Sequence, residues 1–170
     1  GYPEDAEELF KEIGKEDKLL NTAEPYHLWV IEGDYESELP LKKAGLNVIW
    51  SDDVAAYKKM KVRILNGSHT SLVFPSLICG VETVKESLDD EQLSAYLNRC
   101  LFDCILPLLE DKQEIRDFAS AVLERFANPY IKHRWQAISL NSVSKFKERV
   151  LPSVGDYIIK NDALPKPLVF

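Results

Sequence analysis

The stretch Leu46-Asn47-Val48-Ile49-Trp50-Ser51-Asp52-Asp53 marks the place where the chain changes character. Its first half is a short apolar run rich in Val, Ile and Trp, the composition of a buried strand. Its second half, Ser51-Asp52-Asp53, supplies the side-chain acceptors that open a helix. Before it lies a second run of the same kind, His27–Ile31, separated from the first by Gly33, Pro40 and Gly45. Both are predicted strands, and residues 4–20 are predicted as an acidic amphipathic helix with Leu9, Phe10 and Ile13 inward. Two strands alone make a poor sheet, so this part calls for partner strands.

Beyond residue 52 the pattern is helical throughout. One helix is predicted over residues 54–73, ending near Pro75, and a second over 76–88. Residues 90–109 carry Leu93, Leu97, Cys100, Leu101, Cys104, Ile105 and Leu108 as one apolar stripe, and residues 113–126 repeat it with Ile115, Phe118, Val122 and Phe126. Asn128-Pro129 reads as a cap and first-turn proline opening a helix to about residue 147. Leu151-Pro152 reads as its end, and the tail with Pro165 and Pro167 as loop. The expectation is therefore an α/β part over residues 1–52 and a mainly α part over 53–170.

The chain has 170 residues, 45% apolar and 29% charged, which is globular composition. No apolar run is long enough for a membrane-spanning helix, and no signal peptide opens the chain. The seven glycines are too dispersed for G-x-G-x-x-G or a phosphate-binding loop. The start at Gly1 and the end in Pro167-Leu168-Val169-Phe170 read as a chain cut from a longer one. Cys79, Cys100 and Cys104 are odd in number without C-x-x-C spacing; they read as reduced core thiols and suggest the cytoplasm. His27, His69 and His133 form no H-x-x-x-H pair, so no structural metal is expected. Net charge is −7, against broad nucleic-acid binding. Residues 125–150, however, hold Arg125, Lys132, Arg134, Lys145, Lys147 and Arg149 against Glu148 alone. That is either a solvated surface or a local site for an anionic small molecule.

The stretch that carries chemistry is Lys61-Val62-Arg63-Ile64-Leu65-Asn66-Gly67-Ser68-His69-Thr70. On an ideal helix His69 falls about 80° and Asn66 about 140° from Lys61, on one side. These types suit interconversion of a carbonyl and an alcohol. A lysine exchanges the hydroxyl proton, an Asn amide donates to the developing alkoxide, and a His bonds a neighbouring hydroxyl. Gly67 permits close approach of a backbone or a ligand. Spacing alone favours a basic helix bearing a structural histidine.

The pattern K-x-R-x-L-N-G-x-H-T resembles the signature of the long-chain, metal-independent polyol dehydrogenases, the mannitol dehydrogenase family. The likeness extends upstream to Glu24-Pro25-Tyr26-His27-Leu28-Trp29-Val30-Ile31-Glu32 and to Asp52-Asp53-Val54 with Tyr57. Downstream it covers Arg125-Phe126-Ala127-Asn128-Pro129, Ile138-Ser139-Leu140-Asn141-Ser142, Lys145-Phe146 and Arg149-Val150-Leu151-Pro152. The resemblance implies a helical dehydrogenase C-terminal domain, of the kind that follows the nucleotide fold in 6-phosphogluconate dehydrogenase, preceded by the α/β end of a Rossmann-type domain. It further implies hydride transfer with NAD, bound mainly by a domain absent from this chain. Lys61 then matches the general acid/base, Asn66 the alkoxide donor, His69 a substrate-positioning group and Lys145 a lysine on the sugar chain. Arg134 is a further candidate for a substrate carboxylate.

Ala137 stands where the mannitol branch has an arginine, and Lys58 where it has an acid. Asn66-Gly67-Ser68-His69-Thr70 stands where that branch has N-A-S-H-S. These departures resemble the tagaturonate reductase branch, whose substrate is an acid sugar. Fructuronate, mannitol and mannitol 1-phosphate are the alternative substrates. An alternative of another class is a non-catalytic helical interaction domain that keeps the signature.

Overall fold

The computed structural model describes residues 2–3, 5–23 and 26–169. Glu4 of the predicted first helix, Glu24 and Pro25 of the upstream resemblance, and the terminal Gly1 and Phe170 lie outside the described residues. The chain forms two compact units, Gly1–Val54 and Ala55–Phe170.

In the first unit, helix α1 (Ala6–Ile13) is shorter than the pattern suggests. Gly14 takes the left-handed conformation, φ 68°, and the Lys15 N–H returns to the Phe10 carbonyl, a C-terminal lock that stops the helix. Ile13, predicted inward, is exposed. Strands β1 (Trp29–Glu32) and β2 (Val48–Ser51) pair in parallel, with Trp29 opposite Val48 and Glu32 opposite Ser51. They form a two-stranded sheet. Asn47 and His27 clamp the start of the pair: the Asn47 N–H donates to His27 Nε2 and its side-chain amide to the His27 carbonyl, both at 2.9 Å. In the crossover, the Glu36 carboxylate accepts from the Trp50 indole at 2.8 Å and from the backbone N–H groups of Lys42 and Lys43. These bonds hold its carboxyl below the ordinary range, the Trp50 bond foremost.

The second unit is helical. Helix α2 (Val54–Lys61) runs into a π-helical turn over Val62–Asn66 and on into α3 (Gly67–Ile78). Then come α4 (Val84–Asp89), α5 (Glu91–Asn98), a second π-helical stretch (Arg99–Ile105), a short 3₁₀ turn (Leu106–Leu108) and α6 (Gln113–Phe126). Helices α7 (Trp135–Ser139), α8 (Ser142–Arg149), α9 (Leu151–Asn161) and α10 (Lys166–Val169) complete it. Helix α3 is central, packed against α5, α7 and α8. The core is Ile64, Leu72, Leu97, Cys100, Leu101, Ile105, Ala119, Val122 and Trp135, all at 1% exposure or less.

Five further boundaries differ from expectation, each for a physical reason. Helix α3 continues through Pro75 to Ile78. Proline removes the N–H that would bond the Ser71 carbonyl; the Tyr96 hydroxyl faces that oxygen at 3.4 Å. The predicted 76–88 helix is really a turn after Ile78 followed by α4, whose capping box pairs Thr83 with Glu86.

Asn128-Pro129 opens a turn rather than a helix. The Asn128 side chain accepts from the Tyr130 N–H, and the chain then pairs with residues 82–84 through Val84 N–H to His133 O and Trp135 N–H to Glu82 O. Pro152 sits in the first turn of α9, where a missing N–H costs nothing, so Leu151-Pro152 begins a helix instead of ending one. The tail is not wholly loop. Leu168 of α10 is buried, and the Pro167 carbonyl accepts from the Tyr96 hydroxyl at 2.7 Å and the Cys100 thiol at 3.4 Å.

Candidate functional site

Lys61 closes α2, Asn66 closes the π-helical turn and His69 lies in the first turn of α3, so one continuous helix carries all three. The Gly67 N–H bonds the Val62 carbonyl, a five-residue step. Such a turn holds about one residue more than an α turn, which rotates everything after it back by roughly 90–100°. His69 then falls within about 20° of Lys61 and Asn66 within about 50°, a tighter grouping than an ideal helix allows. Lys61 is exposed, while Asn66 is half-buried. The Asn66 carbonyl accepts from the Thr70 hydroxyl at 2.9 Å.

Arg63, within the same stretch, leans the other way. Its guanidinium donates to the buried Ser153 hydroxyl at 2.8 Å and to Asp156 at 3.0 Å, fastening this helix to α9. Gly67 allows the close approach foreseen for it, and what approaches is backbone. A Cβ there would stand 3.3 Å from the Arg149 carbonyl oxygen at the end of α8.

His69 sits in an aromatic enclosure. Phe126 lies parallel to its ring at 4.1 Å between centroids, and His133 and Trp135 stand roughly perpendicular to it, with centroids at 6.0 and 6.3 Å. Its Nε2 is buried and has no hydrogen-bond partner among the described residues. Burial foremost, with the charges of His133, Arg149, Arg125 and Lys145 acting in the same direction, lowers its pKa to about 3. The ring is therefore neutral at physiological pH, able to exchange a hydrogen bond with a ligand hydroxyl.

The basic segment is thus resolved into parts. Lys145 is half-buried near His69, with its ammonium donating to the Ile138 carbonyl at 2.8 Å. Arg125 and Arg149, not singled out from spacing, are half-buried and close enough to act on the same imidazole. Their membership of the two downstream blocks of the resemblance was the available signal. The exposed Arg134 side chain lines a cavity of about 330 Å³ with Leu77, Gly80, Val81, Glu82 and Gln136. Its backbone bridges to Thr83. Among the described residues no three His, Cys, Asp or Glu side chains converge as metal ligands, and no helix is long and apolar enough to cross a membrane.

Residues 53–170 match the family model of the mannitol dehydrogenase C-terminal domain. The chain is 44% identical to the altronate oxidoreductase of Halalkalibacterium halodurans, over 100% of this chain and 34% of that protein. It is 42% identical to the altronate oxidoreductase of Escherichia coli O7:K1, over 100% of this chain and 36% of that protein. The chain spans about a third of the length of the curated relatives it matches.

The solved structure of D-sorbitol dehydrogenase in substrate-free form is similar over 91% of this chain and 32% of that one, with TM-score 0.79 and 28% identity. Mannitol 2-dehydrogenase of Pseudomonas fluorescens, solved as a ternary complex with NAD and D-mannitol, shares the fold over 74% of this chain and 26% of that one, with TM-score 0.66 and 24% identity. With its central helix, its enclosed histidine and a domain match covering most of its length, the chain belongs to the mannitol dehydrogenase family.

Proposed function

We propose that this chain supplies the substrate half of an NAD-dependent oxidoreductase interconverting altronate and tagaturonate, with Lys61 as general acid/base. Residues 1–52 are read as the end of the nucleotide-binding domain and residues 53–170 as the substrate domain. The observation that carries the reading is His69: a neutral imidazole with an unpartnered buried nitrogen, beside Lys145, Arg125 and Arg149 and on the helix of Lys61 and Asn66. A neutral hydrogen-bonding group among fixed cations suits a polyhydroxy acid better than a neutral polyol. The names of the relatives point to the same substrate.

A bound nicotinamide supplies the hydride acceptor in oxidation. The dinucleotide is assigned mainly to a nucleotide-binding domain outside this chain. What the chain's own side chains do is confined to the oxygen. As the carbinol carbon gives up hydride, its hydroxyl proton passes to the Lys61 amine. Asn66 donates to the oxygen while it carries negative charge. His69 bonds an adjacent hydroxyl, and Lys145 pairs with the carboxylate or a distal hydroxyl. Arg134 is a second candidate for the carboxylate. The three cysteines are unpaired, and we place the enzyme in the cytoplasm.

The test is Lys61→Ala in the enzyme that carries this chain, assayed with altronate and NAD and with tagaturonate and NADH. A loss of turnover of about a thousandfold or more is expected. Near-normal turnover sinks the reading. A panel of altronate, fructuronate, mannitol and mannitol 1-phosphate tests the substrate separately.

A further inference from the structure

We propose that Trp135 is a positioning residue that sets the orientation of the His69 imidazole; this rests on the reading of His69 as the group that orients the substrate. With Nε2 making no hydrogen bond among the described residues, that nitrogen gives the ring no polar tether, and the flanking rings aim it. Phe126 covers a face and so leaves rotation in the ring plane open. Trp135, its plane inclined at 82° and its ring centroid 6.3 Å away, flanks the imidazole from a second direction and limits that rotation.

Trp135 can serve as a fixed wall because it is itself tethered. Its side chain is fully buried. Its indole N–H donates to the Ser87 hydroxyl at 2.8 Å, Ser87 donates to the Ser76 hydroxyl at 2.8 Å, and Ser76 donates to the Leu72 carbonyl at 2.8 Å. Ser76 and Leu72 belong to α3, the helix that bears His69. The relay therefore closes on the helix it serves, so wall and imidazole share one frame. Its backbone is pinned as well, by Trp135 N–H to Glu82 O at 2.9 Å. The Ser87 hydroxyl also lies 3.3 Å from the Thr83 carbonyl, a longer contact than its 2.8 Å bond to Ser76. Loss of either Ser87 or the indole N–H breaks the link from Trp135 to α3.

The experiment compares Trp135→Phe and Ser87→Ala in the complete enzyme and again in a His69→Ala background, reading kcat/KM for altronate with NAD. Each is expected to lower kcat/KM about tenfold in the parent and less than twofold without His69. The side-chain NMR signals of His69 should shift or broaden in both variants, while backbone amide signals far from the site stay in place. Ser87→Ala keeps the indole and guards against failure of the bulkier change to fold. An equal loss in both backgrounds, or unmoved His69 signals, overturns the positioning role alone. Full turnover by His69→Ala would overturn the reading of the site and this role together.

Discussion

His69 lies face to face with Phe126, ring centroids 4.1 Å apart and planes within 10° of parallel. Stacking on a hydrocarbon ring removes water from an imidazole without offering a charge to balance a proton. Burial is accordingly the largest cause of its lowered pKa, with the four neighbouring basic residues adding to it.

The pH dependence of stability follows from that pairing. Unfolded, the imidazole takes its proton near pH 6.5; folded, only near pH 3. Between these values the unfolded chain binds more protons, so stability is full above pH 6.5 and falls as the pH drops. The His69 share of the loss is about 2 kcal/mol by pH 5. His69→Gln should remove this share. Urea unfolding of both proteins at pH 7 and pH 5 checks it, and identical pH dependence in the two would contradict a neutral buried His69.

Arg63 belongs to the signature stretch, yet its bonds are to Ser153 and Asp156. Its side chain is 12% exposed and that of Asp156 43%. Arg63→Ala strands the buried Ser153 hydroxyl and should cost about 2–3 kcal/mol. Asp156→Ala loses a largely solvated partner and should cost about 1 kcal/mol or less. Denaturant midpoints at neutral pH give the comparison; an Asp156 cost equal to that of Arg63 would mean the ion pair, not the serine, holds α9.

Helix α6 matches its predicted span at both ends because nothing interrupts its 3.6-residue period. The π-helical turns were not legible: an extra residue in a turn leaves no mark in residue type, and it shifts the angles deduced for Asn66 and His69. Proline was misread at 75, 129 and 152, since its effect depends on whether another group serves the bereaved carbonyl or the missing N–H was needed at all. The placing of Lys61, Asn66 and His69 on one helix was legible in their spacing. The convergence of Arg125, Arg149 and Lys145 on His69 depends on how α6 and α8 meet α3, which no local window contains. The Trp135 relay is legible only in three dimensions, because Ser76, Ser87 and Trp135 are far apart in the chain.

Gly67 is needed for space, not for backbone freedom, since its φ is −62°. A methyl group would meet the Arg149 carbonyl at 3.3 Å and the Ile105 side chain at 3.7 Å. Gly67→Ala gains about 1 kcal/mol of helix propensity and loses a comparable amount to that contact, for a net change within about 1 kcal/mol of zero. Gly67→Val crowds α8 away from α3 and should cost about 2–3 kcal/mol. Thermal melts of the two variants test this, and a valine tolerated without loss would show that the α3–α8 contact is slack.

Lys145 is the residue on which acid-sugar preference should turn. Its ammonium is held by the Ile138 carbonyl at the end of α7, which fixes a positive charge near the neutral His69. Lys145→Met keeps the length and packing of the side chain and removes the charge and its donors. A charge-assisted hydrogen bond contributes about 1.5–3 kcal/mol, so kcat/KM for altronate should fall roughly 10- to 100-fold. A neutral polyol such as mannitol, which offers no carboxylate, should lose much less, so the altronate-to-mannitol ratio drops at least about tenfold. An equal fall for both substrates would assign Lys145 to a shared hydroxyl and leave the carboxylate to Arg125, Arg149 or Arg134. The same panel run on Arg149→Met and Arg134→Met then separates these, because only the residue that meets the carboxylate changes the ratio.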